Sequence, residues 1–312
     1  MNLVDAPILA GPRARALVRG RSSSLLADAK ALLKPRITLM VLLTVAVGFV
    51  CGAQGDVNAA LLFHALVGIG AVAAASGILN QWLERATDAL MDRTRQRPLP
   101  AGRLEPETVL ALGVALATFG LIYLCLAVNP LTAALTGFTL VCYVFVYTPL
   151  KRRTPWNTVI GAVPGALPPL LGYAAAAGAV DPVAWALFGI LFLWQFPHFW
   201  AIAWIYQKDY AKAGLVMLPA VDHENGRLTG RMMTRCALLL LPVSLLPAAI
   251  CLTGTAYFFT ALLIGGLYLG SAVAFWWNPS VRRARYALWA SLIYLPVLLI
   301  MLMLDGPLGL FL

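Results

Sequence analysis

The sequence predicts an all-α integral membrane protein with nine transmembrane helices, and two observations lead to that prediction. Hydrophobic residues make up 61% of the 312-residue chain and charged residues only 12%, whereas about 25% of the residues in a soluble domain are charged. The chain also contains apolar runs of about twenty residues, the length that crosses a bilayer as a helix. They lie near residues 37–53, 59–82, 108–128, 130–148, 157–177, 183–206, 233–252, 256–277 and 286–304.

The distribution of basic residues tests this helix count. The 23 Lys and Arg residues fall into clusters that all lie on one side of the membrane if there are nine helices. Because cytoplasmic loops carry an excess of Lys and Arg, we expect a cytoplasmic N-terminus. The clusters cover residues 13–36, 85–103, 151–153, 208–235 and 282–285. The net charge of +10 therefore indicates membrane topology and contact with anionic lipid, and nucleic acid is not an expected partner.

The chain is predicted to begin with a basic cytoplasmic tail, residues 1–33, followed by one polytopic membrane domain, residues 34–312. The tail is rich in Arg and Ser, but it lacks the apolar core and small-residue cleavage site of a secretory signal peptide. An organellar transit peptide is the alternative, although the acidic Asp5 and Asp28 argue against it. We expect a multi-pass protein of a bacterial inner membrane. Lys34-Pro35-Arg36 is typical of a helix start, and its two cations could face a phosphate.

The second span leads into a charged stretch, Asn80–Arg103, that is not suited to lipid contact. If the helix continues, one of its faces carries four polar residues, namely Asn80, Glu84, Asp88 and Asp92. Neighbouring carboxylates repel each other unless a cation lies between them, and Mg²⁺ often joins such carboxylates to the phosphates of a substrate. Arg93 and Arg97 follow directly and would suit that anion. The alternative is a solvated loop whose charges only set the membrane orientation.

Two further features follow along the chain. The fourth span ends in three adjacent cations, Lys151, Arg152 and Arg153, which either anchor the helix at the membrane surface or form a second phosphate clamp. The fifth span, residues 159–173, contains three prolines and three glycines. Helix breakers at this depth are tolerated where protein or a cavity satisfies the backbone, so this span is predicted to line the working cavity.

The sixth span carries His198, and Asp209 follows eleven residues later. A histidine within the membrane is a functional candidate. On a continuous helix the two residues would share a face, with His198 about 16 Å deeper. The alternative is a core histidine that is hydrogen-bonded to a neighbouring helix. Asp88 and Asp209 each follow an apolar span at the predicted cytoplasmic surface, which suggests a pseudo-symmetric bundle. The last three spans lack acidic residues before Asp305 and are predicted to be scaffold.

Three stretches together resemble the UbiA superfamily of intramembrane prenyltransferases, and the resemblance extends over roughly residues 34–304. Asn80–Arg103 is similar to the first aspartate motif of the superfamily. Tyr147–Asn157 and Trp194–Pro219 are similar to the subgroup that modifies haem. Many members have a second acid four residues after the position of Asp209, where this chain has Ala213. The number of metal ions therefore stays open.

The resemblance implies transfer of a farnesyl group from farnesyl diphosphate to the 2-vinyl group of haem b, with addition of water, to give haem O for terminal oxidases. It also implies Mg²⁺ as the cofactor. The implied metal ligands are Asp88, Asp92 and Asp209, with Asn80 orienting the metal. The implied diphosphate ligands are Arg93, Arg97, Lys151 and Arg152. His198 is expected to contact the haem as an axial ligand, a propionate partner or a ring neighbour. Beyond the lipid bilayer, the implied protein partners are haem A synthase or terminal oxidase assembly proteins.

Two other functions are consistent with parts of the sequence. The same fold could prenylate an aromatic acid or a quinone precursor, in which case His198 would only contribute to packing. Broken helices with buried polar groups are also typical of small-molecule transporters. Against a transporter, the charged groups cluster at one membrane face, and the other face holds only Asp56, Asp181 and Asp305.

Overall fold

A computed structural model describes residues 24–307 and 309, and the regular structure in this part of the chain is entirely helical. Nine of its helices are long and apolar enough to cross a membrane, which confirms the predicted number for the described residues. The cytoplasmic location of the N-terminus stays a prediction. The basic residues of the predicted tail that precede Ser24 lie outside the described residues.

The helices follow the predicted spans closely. In chain order they are α1 (Leu25–Leu33), α2 (Pro35–Ala53), α3 (Ala59–Asp88), α4 (Pro106–Ala127), α5 (Pro130–Val141), α6 (Asn157–Ala177), α7 (Pro182–Ile205), α8 (Gln207–Lys212), α9 (Arg227–Ser244), α10 (Thr255–Trp277) and α11 (Val281–Leu304). A short helical piece, Leu246–Ala249, extends the α9 span, and a 3₁₀ turn forms at Leu218–Ala220. The largest differences from the prediction are that α3 extends to Asp88 and that α9 begins at Arg227. Both extensions are polar turns that a search for apolar runs does not include.

The α5 span continues beyond Val141 through a π-helical segment, Cys142–Tyr147, and a last turn, Thr148–Leu150. Both the amide and the hydroxyl of Thr148 donate to the carbonyl oxygen of Tyr143, the hydroxyl at 2.8 Å. Pro149 follows, and it cannot donate an amide and would press on the carbonyl four residues earlier in an α-helix. The wider π-helical turn accommodates that proline.

The last ten residues of the predicted tail pack on the bundle. Ser24 caps α1, and Leu32 on its inner face is buried. Asp28 forms an ion pair with Arg103 at 2.9 Å, and Gln81 of α3 donates to the carbonyl oxygen of Leu32 at 2.9 Å. Helix α1 is therefore attached to the end of α3 that carries the charged stretch.

Helices α2 and α6 pack in direct backbone contact. A Cβ atom added at Gly48 would collide with the carbonyl oxygen of Pro169, and one added at Gly172 would collide with that of Val45. Of the nine spans, α6 is the most deeply buried in the protein, and its predicted role in lining the working cavity stays a prediction. Helix α7 packs against α6, α9 and α11 and also touches α2, whereas α2 and α11 are not a closely packed pair.

The ends of the bundle differ in charge. One end, which we call the charged end, is formed by residues 88–105, 151–157 and 206–226, and it holds the three interhelical segments that link α3 to α4, α5 to α6 and α7 to α9. At the opposite end, Asp181 caps α7, and buried Asp305 accepts a hydrogen bond from the Tyr257 amide at 2.7 Å. These two carboxylates thus cap the N-terminal ends of α7 and α10.

Candidate functional site

The last turns of α3 present Asn80, Glu84 and Asp88 on one helix face at the charged end. Asn80 is buried, and its Nδ2 donates to Thr148 Oγ1 at 3.0 Å. Glu84 Oε1 pairs with Lys151 Nζ at 2.9 Å, and both side chains are only 14% exposed. The end of α5 is thereby fixed against α3 through two polar contacts.

Asp88 is the most buried acid of the charged end, with a side chain that is 1% exposed. Its Oδ2 accepts from Arg97 Nη1 at 2.6 Å. Helix α3 stops here because the chain turns, and Thr94 Oγ1 donates to the Asp88 carbonyl oxygen at 2.8 Å, which satisfies a helix-end carbonyl. The turn directs Arg97 back onto the carboxylate.

The prediction that Asp92 shares this helix face is wrong, because the helix ends one turn earlier. Asp92 lies in the following turn with its side chain 60% exposed. Its ion-pair distances are 3.5 Å to Arg95 and 3.6 Å to Lys212. Its predicted role as a metal ligand is a separate matter and stays a prediction.

Lys34 belongs to the same group of charges. It lies half-buried at the junction of α1 and α2, in the left-handed backbone conformation with φ of 48°. Burial, followed by the positive charges of Arg97 and Lys151, lowers the pKa of Lys34 to about 8. From the sequence, Lys34 was noted only as part of a helix start whose cations could face a phosphate. Glu84 was not predicted as a site residue. Of the predicted cations, Arg93 and Arg152 are exposed.

Arg93 connects the turn after α3 to the segment after α7. Its guanidinium lies 5.0 Å from the ring centroid of Tyr206 and 5.4 Å from that of Tyr210, and Nη2 donates to the Tyr210 hydroxyl at 3.1 Å. Buried Met91 packs against Ala213 and its neighbours in the same segment. These contacts bring the first and third motif stretches together.

The second motif stretch completes the assembly. The Val216 amide donates to the Lys151 carbonyl oxygen at 2.8 Å. Asn157 is buried, and its Nδ2 donates to the carbonyl oxygens of Val216 at 2.7 Å and Thr154 at 2.6 Å. The structure therefore joins all three predicted motif stretches in one surface at the charged end.

Asp209 lies on α8, which is separate from α7. The chain leaves the helical conformation at Tyr206, with φ of −108° and ψ of 20°, so the continuous helix on which His198 and Asp209 would share a face does not form. Asp209 is half-buried, and none of the ion pairs recorded for residues 24–307 and 309 involves it. Its carboxylate is available for a ligand.

His198 faces α11. Its Nδ1 lies 2.8 Å from Ser291 Oγ, and its ring stacks on Trp194 with centroids 4.8 Å apart. This is the contact with a neighbouring helix that the packing alternative predicted. The expected contact with haem stays a prediction.

The donor chemistry of the site fits Mg²⁺, although the described residues contain no group of three His, Cys, Asp or Glu side chains arranged to hold a metal. Mg²⁺ commonly uses only one or two carboxylates and takes its other ligands from substrate phosphates and water. Glu84, Asp88 and Asp209 supply carboxylate oxygens at the charged end. Lys34, Lys151 and Arg97 add positive charge, so the surface can bind a polyanion together with a divalent cation.

Comparison with known proteins places this arrangement in context. The model of the UbiA prenyltransferase family matches residues 41–309. A Protoheme IX farnesyltransferase of Solibacter usitatus is 45% identical over 285 residues, which cover 88% of this chain and 97% of that protein. One of Salinibacter ruber is 42% identical over 88% of this chain and 96% of its own length. A UbiA homologue of Archaeoglobus fulgidus, solved with DMAPP and Mg²⁺, has 17% identity and a TM-score of 0.64 over 88% of this chain and 99% of its own.

Proposed function

This chain belongs to the UbiA prenyltransferase family, and on that premise we propose that it transfers the farnesyl group of farnesyl diphosphate to the 2-vinyl group of haem b, with addition of water, to make haem O. The observation that carries the proposal is the similarity, over nearly the full length of both chains, to relatives named Protoheme IX farnesyltransferase. The charged end supports the donor half of the reaction, because it assembles cations and carboxylates where a lipid diphosphate would meet the bilayer surface.

The proposed diphosphate site consists of cations from three segments. Arg97 and Lys151 are fixed by Asp88 and Glu84, but a guanidinium has five donors and an ammonium has three, so both can also bind phosphate oxygens. Lys34 adds a cation from the start of α2. Arg93 and Arg152 would contact the outer phosphate oxygens. As the bond between farnesyl and diphosphate breaks, these fixed positive charges stabilise the negative charge that develops on the leaving group.

We propose Mg²⁺ as the cofactor, held by Asp88 from α3 and Asp209 from α8. The resemblance to the first aspartate motif implies Asp92 as the third ligand. Glu84, which shares the Asp88 helix face one turn deeper, is an alternative third carboxylate, although its Oε1 also pairs with Lys151. Asn80 would orient the metal through Oδ1, because Nδ2 is used by Thr148. When bound, Mg²⁺ supplies further charge neutralisation for the leaving diphosphate.

The transfer itself needs a dry environment. The π electrons of the vinyl group attack C1 of the farnesyl chain, the C1–O bond breaks and diphosphate leaves with the electron pair. The cation left on the vinyl carbon next to the ring takes up water and loses a proton, which gives the hydroxyl group. Helices α3, α5, α6 and α7 would shield the farnesyl chain from water until the vinyl carbon attacks.

The proposed setting is a bacterial inner membrane, with the N-terminus and the charged end in the cytoplasm. That orientation follows from the concentration of Lys and Arg at this end. The basic tail, residues 1–33, would then lie at the surface that collects both substrates. Haem A synthase or terminal oxidase assembly proteins are the proposed partners, because haem O made within the bilayer must be passed on to proteins that use it.

The test is to incubate membranes that contain this chain with haem b, farnesyl diphosphate and Mg²⁺, and to separate the haems by chromatography with mass spectrometry. We expect haem O from the wild type and none from Asp88→Ala. Mg²⁺-dependent prenylation of an aromatic acid without haem O would discard the haem assignment and keep the family. Absence of any diphosphate release would overturn the proposal.

A further inference from the structure

His198 is held in one orientation by three contacts within the membrane span. Trp194 covers one face of the imidazole ring, and Phe199 meets the ring edge-on with centroids 5.2 Å apart. Ser291 Oγ lies 2.8 Å from Nδ1. Trp194 is itself fixed, because its Nε1 donates to the Ser291 carbonyl oxygen at 2.9 Å and its carbonyl oxygen accepts from Tyr268 at 3.0 Å.

The hydrogen bonds of Ser291 determine which nitrogen of His198 carries the proton. A serine hydroxyl has one proton to donate, and that of Ser291 donates to the Leu288 carbonyl oxygen at 2.6 Å. Ser291 Oγ must therefore accept from His198 Nδ1–H. The neutral ring then carries its lone pair on Nε2. Within residues 24–307 and 309, no group forms a hydrogen bond with Nε2. Nε2 is also not one of the polar atoms that are fully buried without a partner, so part of its surface is accessible. It is thus open to a ligand.

An imidazole arranged in this way has the chemistry of a metal ligand. Histidines that bind a metal donate their other ring N–H to an oxygen acceptor, which fixes the tautomer and strengthens the ligand nitrogen. A histidine nitrogen is also a common axial ligand of haem iron. The proposed acceptor substrate is the one reactant that carries such a metal.

His198 is half-buried on α7. Helix α7 touches α2 and packs against α11, but α2 and α11 are not closely packed against each other. Phe199 and Leu292, which follow His198 and Ser291 in the sequence, are exposed, so the seam between α7 and α11 at His198 lies near the surface of the bundle. A flat apolar porphyrin could therefore reach the α7 surface from lipid. His198 lies seven residues before the end of α7 at Ile205, about 10 Å along the helix axis, which leaves room for a vinyl group between the iron and the charged end.

We propose that His198 Nε2 binds the iron of the acceptor haem at the seam between α7 and α11, and that Ser291 is a positioning residue that holds His198 in the Nδ1–H tautomer. This inference rests on the proposed function, because it takes haem b as the acceptor. A histidine that only contributed to packing would need neither a free Nε2 nor the Nδ1–H tautomer that Ser291 selects.

The test uses the full-length protein in detergent, loaded with ferrous and ferric haem b. We expect an iron–histidine stretching band in the resonance Raman spectrum of wild-type protein. His198→Ala should lose the band and bind haem at least about tenfold more weakly, and added imidazole should restore the wild-type Soret position. The matched control is His64→Ala, which removes another intramembrane histidine that is bonded to a hydroxyl, Tyr123 at 2.6 Å. It should leave both spectra unchanged.

Ser291→Ala tests the positioning role. Loss of the Nδ1 hydrogen bond should shift the iron–histidine band and weaken haem binding about tenfold. The control is Ser244→Ala, because Ser244 is equally buried and donates to a carbonyl three residues earlier in the same way. A Ser291→Ala spectrum identical to wild type would overturn the positioning role.

The outcomes separate this inference from the proposed function. If the wild type makes haem O but His198→Ala keeps the wild-type haem spectrum, the iron ligand lies elsewhere and only the inference fails. If the wild type makes no haem O, the proposed function fails first. Binding of inorganic diphosphate should be unchanged in His198→Ala, and its loss would show misfolding, in which case His198→Gln is measured in its place.

Discussion

Asp88 and Asp92 are four residues apart and have the same chemistry, yet the structure treats them in opposite ways. Asp88 closes α3, is 1% exposed and meets Arg97 at 2.6 Å. Asp92 lies beyond the helix end, is 60% exposed and has partners only at 3.5 Å and 3.6 Å. The difference arises from one event, the end of α3 at Asp88. It teaches that a repeat of carboxylates predicts a shared face only as far as the helix extends.

The largest expected effect is on catalysis. Asp88→Asn should lower haem O formation at least about 100-fold, because it removes a ligand of the proposed Mg²⁺ and the carboxylate that fixes Arg97, both of which stabilise the leaving diphosphate. Asp92→Asn should reduce it less than about fivefold, since an exposed carboxylate in water contributes little. Initial rates in membranes at saturating Mg²⁺ measure both variants, and Glu84→Gln reports whether the helix face supplies the second acid. Equal losses for Asp88→Asn and Asp92→Asn would contradict the inference that buried Asp88 matters more for catalysis than exposed Asp92.

The second effect is on stability. Arg97→Ala should lower the free energy of unfolding by about 2–3 kcal/mol, because it leaves buried Asp88 without its cation. This is below the 3–5 kcal/mol of a fully buried pair, since the Arg97 side chain is 27% exposed. Thermal unfolding in detergent is the measurement. The double variant Asp88→Asn/Arg97→Ala should lose less than the sum of the single changes, and simple additivity would contradict the coupling.

The third effect is a pH dependence that arises from Lys34. Its pKa is lowered to about 8, so the cation that favours a bound phosphate is lost as the pH rises through that value. If only the protonated form binds, diphosphate affinity should fall about tenfold between about pH 7 and 9. Titration calorimetry with inorganic diphosphate measures this change. Lys34→Arg keeps its charge and should flatten the profile, apart from the titration of diphosphate itself, and an unchanged profile would exclude Lys34.

The smallest effect is expected for the exposed ion pair of Asp92 in the turn after α3. Arg95→Ala removes the 3.5 Å pair with Asp92, in which both side chains are more than half exposed. The free energy of unfolding should change by less than about 0.5 kcal/mol. Chemical or thermal unfolding of Arg95→Ala and Arg97→Ala under the same conditions compares the two losses in free energy of unfolding. A loss as large as that of Arg97→Ala would mean that the turn after α3 is more rigid than its exposure indicates.

Much of the fold could be predicted from the sequence, because nine apolar runs and one-sided basic clusters both follow from the physics of the bilayer. The meeting of the three motif stretches was implied by the family resemblance, which assigns ligands from all three to one site. The end of α3 could not be predicted, since Ala89 and Leu90 carry no strong helix-stop signal and the turn is stabilised by Thr94 and Arg97 from further along the chain. The end of α7 at Ile205 agrees with the predicted sixth span, residues 183–206, whereas the separate short helix that carries Asp209 was not predicted.

The partners of single side chains were the least predictable part. Glu84 was visible in the sequence, but its pairing with Lys151 joins residues 67 positions apart. The contact of His198 with Ser291 spans 93 positions. Distances of this kind depend on which helices become neighbours, and hydropathy does not specify that.

The π-helical segment Cys142–Tyr147 sets the direction of the side chains that follow it on α5. Such a segment contains one residue more than the α-helix it interrupts, and each residue turns the helix by about 100°. Thr148 and Lys151 therefore point toward Asn80 and Glu84 only because of that additional residue. Loss of a single codon within the segment would leave a longer, smoother helix and turn both side chains away from α3. The orientation of the last turn of α5 therefore depends on the length of this segment, and a one-residue deletion within it is expected to separate α5 from Asn80 and Glu84.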